Sequence, residues 1–482
     1  METQSQPAAG SGPLTTGLQR NQIGLLGATM QAITHISPAI AALFFTQFVI
    51  SLAGITAPLA YVAGFIIVLL LGSTLVQLSK HLPSAGGYYT YVSRAVSPRA
   101  GFLTSWMFIL YSPIAAGPVY AFFGFILQNE LNSQYNINLP FLWALSVVIF
   151  APLIAFLQIR GLKLSAKWLV VTGGLEMLIV LLLAISGFIS PGPGGVTVSV
   201  FDPSKWLGFS SFALAVVFSV QGLTGWEAAA PLAEETTDPK RNVPLSVYLS
   251  IVIIGVYLVI VFWGVISGFG PNNVQDIIND KELPALDLAR RLWGTGWILI
   301  LIAFLNSVIG NGLSTANVST RMWYSMARSG SFPKALAKTH ETYKTPVNAI
   351  LLQMCLSLAI GLIPGFAFGA DVSFFFVDGL ILVLGVTVVY LMANLAVFMF
   401  YRGEHKDEFN ILLHLVFPLI GSLVLIYAVY ASFFPTLPAQ PYVYAPIIDG
   451  VWLIIGIALL FYLKSRGQED WLLKAGEAIS EA

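Results

Sequence analysis

Apolar residues are grouped along this chain in twelve long runs separated by polar connections. Each run has about 20 residues or more, the length that an α-helix needs to cross the hydrocarbon core of a bilayer. The pattern predicts an all-α integral membrane protein with twelve transmembrane helices. The runs cover roughly residues 21–50, 57–79, 100–127, 139–159, 166–189, 207–233, 243–268, 295–327, 346–364, 373–400, 409–433 and 444–465.

Two of these runs are interrupted by residues that a membrane helix normally avoids. The sixth run reaches Gln221-Gly222-Leu223-Thr224-Gly225, where two glycines beside polar side chains disfavour a continuous helix. The first run carries Thr, Gln, His and Ser side chains between residues 29 and 37 and then Pro38, which removes a backbone donor. Backbone groups freed by such breaks must face protein, water or a ligand.

The two interruptions lie five runs apart, at corresponding positions of two five-helix halves. Paired interruptions of this kind indicate a transporter site between inverted repeats. The alternative is a pair of kinked helices packed by small residues. We expect substrate contacts from Gln31, Ala32, Ile33, Thr34, His35, Gln221, Gly222, Thr224 and Gly225.

Composition and charge support the membrane class and orient the chain. Hydrophobic residues make up 57% and charged residues 10% of 482 positions, with zero formal net charge, so no feature indicates a nucleic-acid partner. With an even number of spans and a cytoplasmic N-terminus, 19 of the 23 Lys and Arg residues fall on one side. This asymmetry follows the positive-inside rule and predicts a multi-pass protein of the cell membrane with both termini cytoplasmic.

The ionisable residues His35, Glu176, Glu227 and Asp378 lie within the apolar runs. Such groups are costly inside a bilayer and are by default functional candidates. We predict that Glu176 and Glu227 couple transport to protons, or that Glu227 pairs with a cationic substrate. The alternative for both is a hydrogen bond between packed helices. His35 fits a core position as well as a ligand contact, and Asp378 fits either the outer half of the pathway or a solvent-exposed position.

Three separate segments carry a recognisable pattern of residues. They are the loop after the second run (residues 78–94, LSKHLPSAGGYYTYVSR), Leu232-Ala233-Glu234-Glu235 followed by residues 238–244 (DPKRNVP), and residues 321–330 (RMWYSMARSG) followed by Phe332-Pro333 and Thr345-Pro346. Together they resemble the amino acid–polyamine–organocation permeases. The resemblance covers about residues 20 to 400. It implies a LeuT-like 5+5 inverted repeat of ten helices at 21–402, two peripheral helices at 403–482 and a cytoplasmic disordered tail at 1–20.

The chain departs from this family at three positions that matter for the substrate. Members that carry α-amino acids have a Gly-Ser/Thr-Gly step in helix one, and Gln31-Ala32-Ile33 stands there in this chain. An aromatic residue of helix six is replaced by Gln221, and a lysine of helix five by Leu175 or Glu176. These departures argue against a standard α-amino acid.

The sequence predicts a secondary active transporter that moves an amino acid, amine or polyamine across the bilayer by alternating access, with proton coupling. An exchanger, a sodium-coupled carrier using hydroxyls of the eighth run, a channel and a transporter-derived nutrient sensor are the alternatives. No nucleotide-binding loop, metal-ligand motif or catalytic nucleophile constellation is visible, so we predict no enzyme activity, cofactor or metal. Apolar residues at helical spacing in 281–292 predict an extracellular amphipathic helix that lies on the bundle, where it would form part of a gate.

Overall fold

The computed structural model describes residues 17–279, 283–370, 372–434, 440–441, 443–467 and 469–478; the side chains of 112–115, 372–376, 378 and 432 lie outside the description. Within these ranges the chain is helical, with one isolated bridge between Ile23 and Thr236. The α-helices are α1 (Leu25–Ile36), α2 (Pro38–Ala53), α3 (Ala57–His81), α4 (Tyr88–Ala95), α5 (Pro98–Tyr135), α6 (Leu142–Ile159), α7 (Leu162–Ile189), α8 (Phe209–Gly222), α9 (Pro239–Phe269), α10 (Val274–Asn279), α11 (Pro284–Trp293), α12 (Ile298–Ser329), α13 (Val347–Phe368), α14 (Val372–Gly403), α15 (Phe417–Phe433) and α16 (Tyr444–Ser465).

Eleven helical stretches of the described residues are long and apolar enough to cross a membrane. The first of them, Leu25–His81, has 57 residues and contains the first two predicted runs. A straight helix of that length would measure about 85 Å at 1.5 Å per residue, nearly three times the hydrocarbon thickness. The chain turns within it at Gly54–Thr56, where Gly54 has a φ of +59°.

The lipid-facing surface follows the helical period, as α7 shows. Leu175, Leu178 and Leu182 are exposed, whereas Glu176 and Leu183 on another face of the helix are buried. A continuous apolar surface of this extent marks contact with a membrane or a partner. The acidic side chain of α7 is therefore turned inward while leucines face outward, the reverse of a helix on a water-soluble protein.

The three family-like segments meet at one end of the bundle. Arg321 of α12 forms a fully buried ion pair with Glu235, with Nε 2.8 Å from Oε2. Arg328 donates two hydrogen bonds to Glu234, of 2.8 and 2.6 Å, and the backbone N–H of Ala85 donates to the same carboxylate. We call this end of the bundle the basic end. It holds the loop after α3, the loop after Glu235 and the loop after α12.

The predicted amphipathic helix is present as α11 at the opposite end, although Lys281 and Glu282 lie outside the described residues. Its apolar side chains, including Leu286 and Leu288, are buried against the bundle. Arg290 donates to Asp287 at 2.6 Å and contacts Glu130 of α5. Charged contacts therefore attach α11 to the end of α5.

Of residues 1–20, predicted as a tail, 1–16 lie outside the description, whereas Gly17 donates its N–H to the Tyr324 hydroxyl at 2.7 Å.

Candidate functional site

The helix of the first run stops and restarts at Ser37. α1 ends at Ile36 and α2 begins at Pro38, and Ser37 between them has a left-handed φ of +63°. Proline lacks the N–H that would continue the helical ladder, and its ring disfavours helix at the residue before it. A local feature of the sequence therefore explains the position of this break.

The helix of the sixth run breaks after Gly222, and Gly225 has a φ of +128° before a 3-10 segment continues to Glu235. A Cβ placed on Gly225 would lie 2.8 Å from the backbone nitrogen of Ile36 and 3.0 Å from the carbonyl carbon of His35. The two interruptions therefore touch each other, backbone against backbone. Only glycine satisfies both the conformation and the space.

Side chains from α7 and α12 satisfy the backbone groups freed at Ser37. Asn311 donates to the carbonyl of His35 at 2.8 Å, and the N–H of Ile40 donates to the hydroxyl of Ser307 at 3.3 Å. The N–H of Ala39 bonds to the Glu176 carboxylate. These contacts supply the caps that helix ends require, so specific hydrogen bonds stabilise the break.

A cavity of about 140 Å³ lies beside the two breaks. Its walls come from α1, α2, α5, α8, α12, α14 and α15, and they are mostly aliphatic and aromatic. The polar side chains lining it are His35, Ser37, Tyr111, Gln221, Thr224, Asn311, Thr387 and Tyr390. A mainly apolar concavity with a few converging polar groups is the usual form of a small-molecule site.

Three of the nine predicted contact residues, His35, Gln221 and Thr224, line this cavity. Gln31 instead faces α12, donating to the carbonyl of Ser314 at 2.8 Å and accepting from Asn317 at 3.1 Å. The structure places the others outside the lining: Ala32, Ile33, Thr34, Gly222 and Gly225. Ala32, Ile33 and Thr34 are buried in α1, Thr34 donates back to Met30, and Gly222 packs against Tyr61 and Phe45.

Glu227 lies behind the cavity wall, fully buried at the start of the 3-10 segment. Its Oε2 accepts from the Tyr390 hydroxyl at 2.9 Å and from the N–H of Gly225 at 3.2 Å. Its Oε1 makes no hydrogen bond to any described residue. Because Tyr390 lines the cavity, one hydroxyl separates the carboxylate from the space where a ligand would lie.

Glu176 has a different setting, although it is equally buried. Asn306 donates to its Oε2 at 2.6 Å, Ser307 donates to its Oε1 at 3.1 Å, and the N–H of Ala39 adds a third donor. It therefore caps the N-terminal end of α2, where the helix dipole favours negative charge. No ion pair among the described residues involves Glu176 or Glu227.

Sequence reasoning missed three residues of this region. Tyr111 and Tyr390 line the cavity, and the Tyr111 hydroxyl lies 3.4 Å from Nε2 of His35. Buried Asp449 of α16 is an acid within the twelfth run, and neither of its carboxylate oxygens bonds to a described residue. A search for ionisable residues within apolar runs, which singled out Glu227, would also have found Asp449. No local signal in the sequence separates the two tyrosines from the chain's other 16.

Asp378, which the same search did single out, lies in α14, and its side chain is outside the description.

The sequence model of a family described as amino acid permease matches residues 27–471. The chain belongs to the amino acid permease family. This membership confirms the resemblance seen in the three segments, and it makes the protein a multi-pass membrane transporter rather than an enzyme.

Individual relatives agree with the family. The low-affinity putrescine importer PlaP of Escherichia coli (strain K12) is 28% identical over 384 residues, which cover 74% of this chain and 80% of PlaP. The serine/threonine exchanger SteT of Bacillus subtilis (strain 168) is 24% identical over 373 residues, 75% of this chain and 79% of SteT. The uncharacterized amino acid permease YecA, also of Bacillus subtilis, is 27% identical over 284 residues, which span 58% of this chain and 62% of YecA.

Proposed function

We propose that this permease is a secondary active transporter that carries an amino acid, amine or polyamine across the cytoplasmic membrane by alternating access, coupled to protons. The proposal includes twelve spans in a LeuT-like 5+5 arrangement with two peripheral helices, and both termini in the cytoplasm. The observation that carries it is the cavity at the meeting point of two broken helices, one hydroxyl away from a buried carboxylate that has no cation partner among the described residues.

The position of the cavity supports alternating access. The 3-10 segment runs from the break at Gly225 to the basic end. Because α8 precedes this break, the cavity residue Val217 of α8 lies on the side of the break that is away from the basic end. Phe44 of α2 likewise lies beyond the break at Ser37. The ion pairs Arg321–Glu235 and Arg328–Glu234 occupy the opposite side. In the proposed topology this is a state closed towards the cytoplasm, with the binding space on the outer side.

The lining supports a substrate with an amino group and an apolar body. His35 is the sole basic residue among the described lining residues, so no Lys or Arg is available to pair with a substrate carboxylate. The Glu227 carboxylate lies behind the lining and accepts a hydrogen bond from the hydroxyl of Tyr390. The relatives named for putrescine and for serine and threonine set the range of cargo to be tested.

The hydrogen bonds support Glu227 as the principal proton carrier, with Glu176 as the second candidate. Oε1 of Glu227 accepts no hydrogen bond from the described residues, and its carboxylate lies one hydroxyl from the cavity, whereas both oxygens of Glu176 accept hydrogen bonds, from Asn306 and Ser307. A buried carboxylate without a cation is costly unless a proton or a substrate amine neutralises it. Among the hydroxyls of the eighth run, Ser307 donates to Glu176 and Ser314 donates to the carbonyl of Asn311. A donating hydroxyl keeps its lone pairs for a cation, so a sodium-coupled carrier is the alternative to be tested. Obligatory exchange remains the second candidate, because SteT is named an exchanger.

A thermal-shift screen of amino acids, amines and polyamines on the purified protein tests the site. We expect at least one amine-bearing compound to raise the melting temperature, because a ligand that binds only the folded state stabilises it. Val217→Trp, which fills the cavity, should abolish the shift. Val252→Trp on the lipid-facing side of α9 should preserve it, since Val252 is exposed.

Flux measurements in liposomes then separate the classes of function. Uptake of the stabilising compound that saturates with concentration and accelerates with an inward proton gradient supports the proposal. Unitary currents would indicate a channel, and binding without flux would indicate a sensor. Ligand binding that persists in Val217→Trp would place the site elsewhere.

A further inference from the structure

Two histidines and a glutamate from distant parts of the sequence converge at the end of α3. His81 is the last residue of α3, and His405 and Glu408 belong to the connector that follows α14. Nε2 of His81 lies 3.3 Å from Oε2 of Glu408, and Nδ1 of His405 lies 3.2 Å from Oε1 of the same carboxylate. The two imidazole rings are 4.1 Å apart between centroids.

The geometry of these atoms suits a metal ion. One nitrogen from each histidine and one oxygen from Glu408 all lie within 4.8 Å of one another. Ligand atoms about 2.0–2.1 Å from a tetrahedral zinc ion are roughly 3.4 Å apart. The two measured nitrogen–oxygen distances are similar, although each ends on a different oxygen of Glu408. Imidazole and carboxylate are the ligands that zinc and its neighbours in the first transition row accept.

An unsatisfied atom points to the same conclusion. Nε2 of His81 is buried and makes no hydrogen bond to a described residue, although Glu408 is close. A buried polar atom without a partner is costly and calls for an explanation. The Glu408 side chain is 54% exposed, so solvent reaches the cluster and a water molecule can complete the coordination.

We propose that His81, His405 and Glu408 form a binding site for a divalent transition-metal ion of the zinc type, which links the end of α3 to the connector between α14 and α15. The site lies apart from the cavity and shares no residue with it. The three residues are spread over 328 positions, from 81 to 408, which explains why no ligand spacing is visible in the sequence. A histidine pair bonded only to Glu408 is the competing interpretation, and it requires no metal.

Cobalt titration of the purified full chain distinguishes the two interpretations. The titration uses protein without a histidine tag and with the substitution Cys355→Ser, which removes the chain's single thiol. We expect one Co²⁺ per chain, with the visible absorption of cobalt in a low-coordinate nitrogen and oxygen site, and displacement by Zn²⁺, which binds such sites more tightly than Co²⁺. Zn²⁺ should also raise the melting temperature.

Single substitutions assign the ligands. His81→Gln, His405→Gln and Glu408→Gln should each weaken Co²⁺ binding at least about tenfold, since even outer-shell changes cost 10–100-fold. The matched control is His340→Gln, because Nδ1 of His340 accepts from the N–H of Thr342 in an exposed turn; binding should be unchanged. Size-exclusion profiles and melting temperatures without metal verify that each variant is folded.

Two results would overturn the metal site. One is a spectrum without a cobalt band at about a tenfold molar excess of Co²⁺; the other is equal binding by the parent and all three ligand variants. Because the assay measures metal binding alone, its failure leaves the proposed transport function untouched.

Discussion

At the scale of the residue, Glu227 and Gly225 lie where the two broken helices meet. Glu227 has one carboxylate oxygen held by Tyr390 and Gly225 and the other without a hydrogen bond to the described residues. Gly225 meets the backbone of α1 in a conformation that L side chains rarely adopt. Glu227 is therefore the proposed proton carrier, and Gly225 is the point at which the two broken helices touch.

Replacement of Glu227 tests the coupling. Gln keeps the size and much of the hydrogen bonding but cannot take up or release a proton. We expect Glu227→Gln to remove the pH dependence of uptake in liposomes while retaining substrate exchange. If Glu227 pairs with a substrate amine instead, the variant should bind more weakly at every pH. Unchanged affinity and an unchanged pH profile in both Glu227→Gln and Glu176→Gln would exclude these carboxylates from the mechanism.

Replacement of Gly225 tests the contact between the breaks. Gly225→Ala forces an L residue to a φ of +128° and places a Cβ 2.8 Å from the nitrogen of Ile36. Backbone strain alone costs about 1–3 kcal/mol, so we expect a lower melting temperature and lost ligand binding. Gly174→Ala is the control, because nothing lies within 4 Å of its Cβ position in α7. It should stabilise the helix by about 0.5–1 kcal/mol; equal melting temperatures for the two variants would contradict the contact.

At the scale of the element, separate helices depend on each other for their polar groups. The N-terminal end of α2 is capped by Glu176 of α7 and Ser307 of α12. At the basic end, α12 contributes the arginines and the 3-10 segment contributes the carboxylates. The family-like segments are thus largely parts of one structural cluster, which explains their likeness to permeases that carry different cargo.

The buried ion pair at the basic end gives a prediction about stability. Glu235→Gln leaves the fully buried Arg321 without its charge partner, and breaking such a pair costs about 3–5 kcal/mol. Glu404→Gln breaks the ion pair with Arg94. The Arg94 and Glu404 side chains are 49% and 40% exposed, so the loss should cost about 0–1 kcal/mol of stability. Thermal unfolding in detergent measures both. A Glu404 variant as destabilised as the Glu235 variant would show that burial does not govern these pairs.

At the scale of the whole molecule, the distribution of charge along the chain predicts the orientation in the membrane. Labelling of single cysteines introduced in a Cys355→Ser background tests it in intact cells. We expect a membrane-impermeant reagent to reach Asn132→Cys and Asn272→Cys from outside, and Ser97→Cys and Lys338→Cys only after the membrane is opened. Labelling of Lys338→Cys from outside alone would overturn the twelve-span topology.

The sequence by itself determined the membrane class, the apolar runs and the places where two of them are interrupted. These properties are local: the length of an apolar run decides whether it can cross a bilayer, and Pro38 and Gly225 act on the backbone at their own positions. For the same reason, Glu227 was recognisable as an unusual charge without knowledge of its neighbours.

Only the tertiary structure decided which of the predicted residues reach the cavity. His35 and Gln221 line it, whereas Gln31 turns towards α12, and Tyr390 arrives from a helix more than 160 residues after Glu227. The rotation of each helix about its axis and its choice of neighbours select these contacts, and both result from packing of the whole bundle. The sequence alone therefore does not distinguish between the polar side chains of one run. The surrounding helices determine which partner each of them contacts.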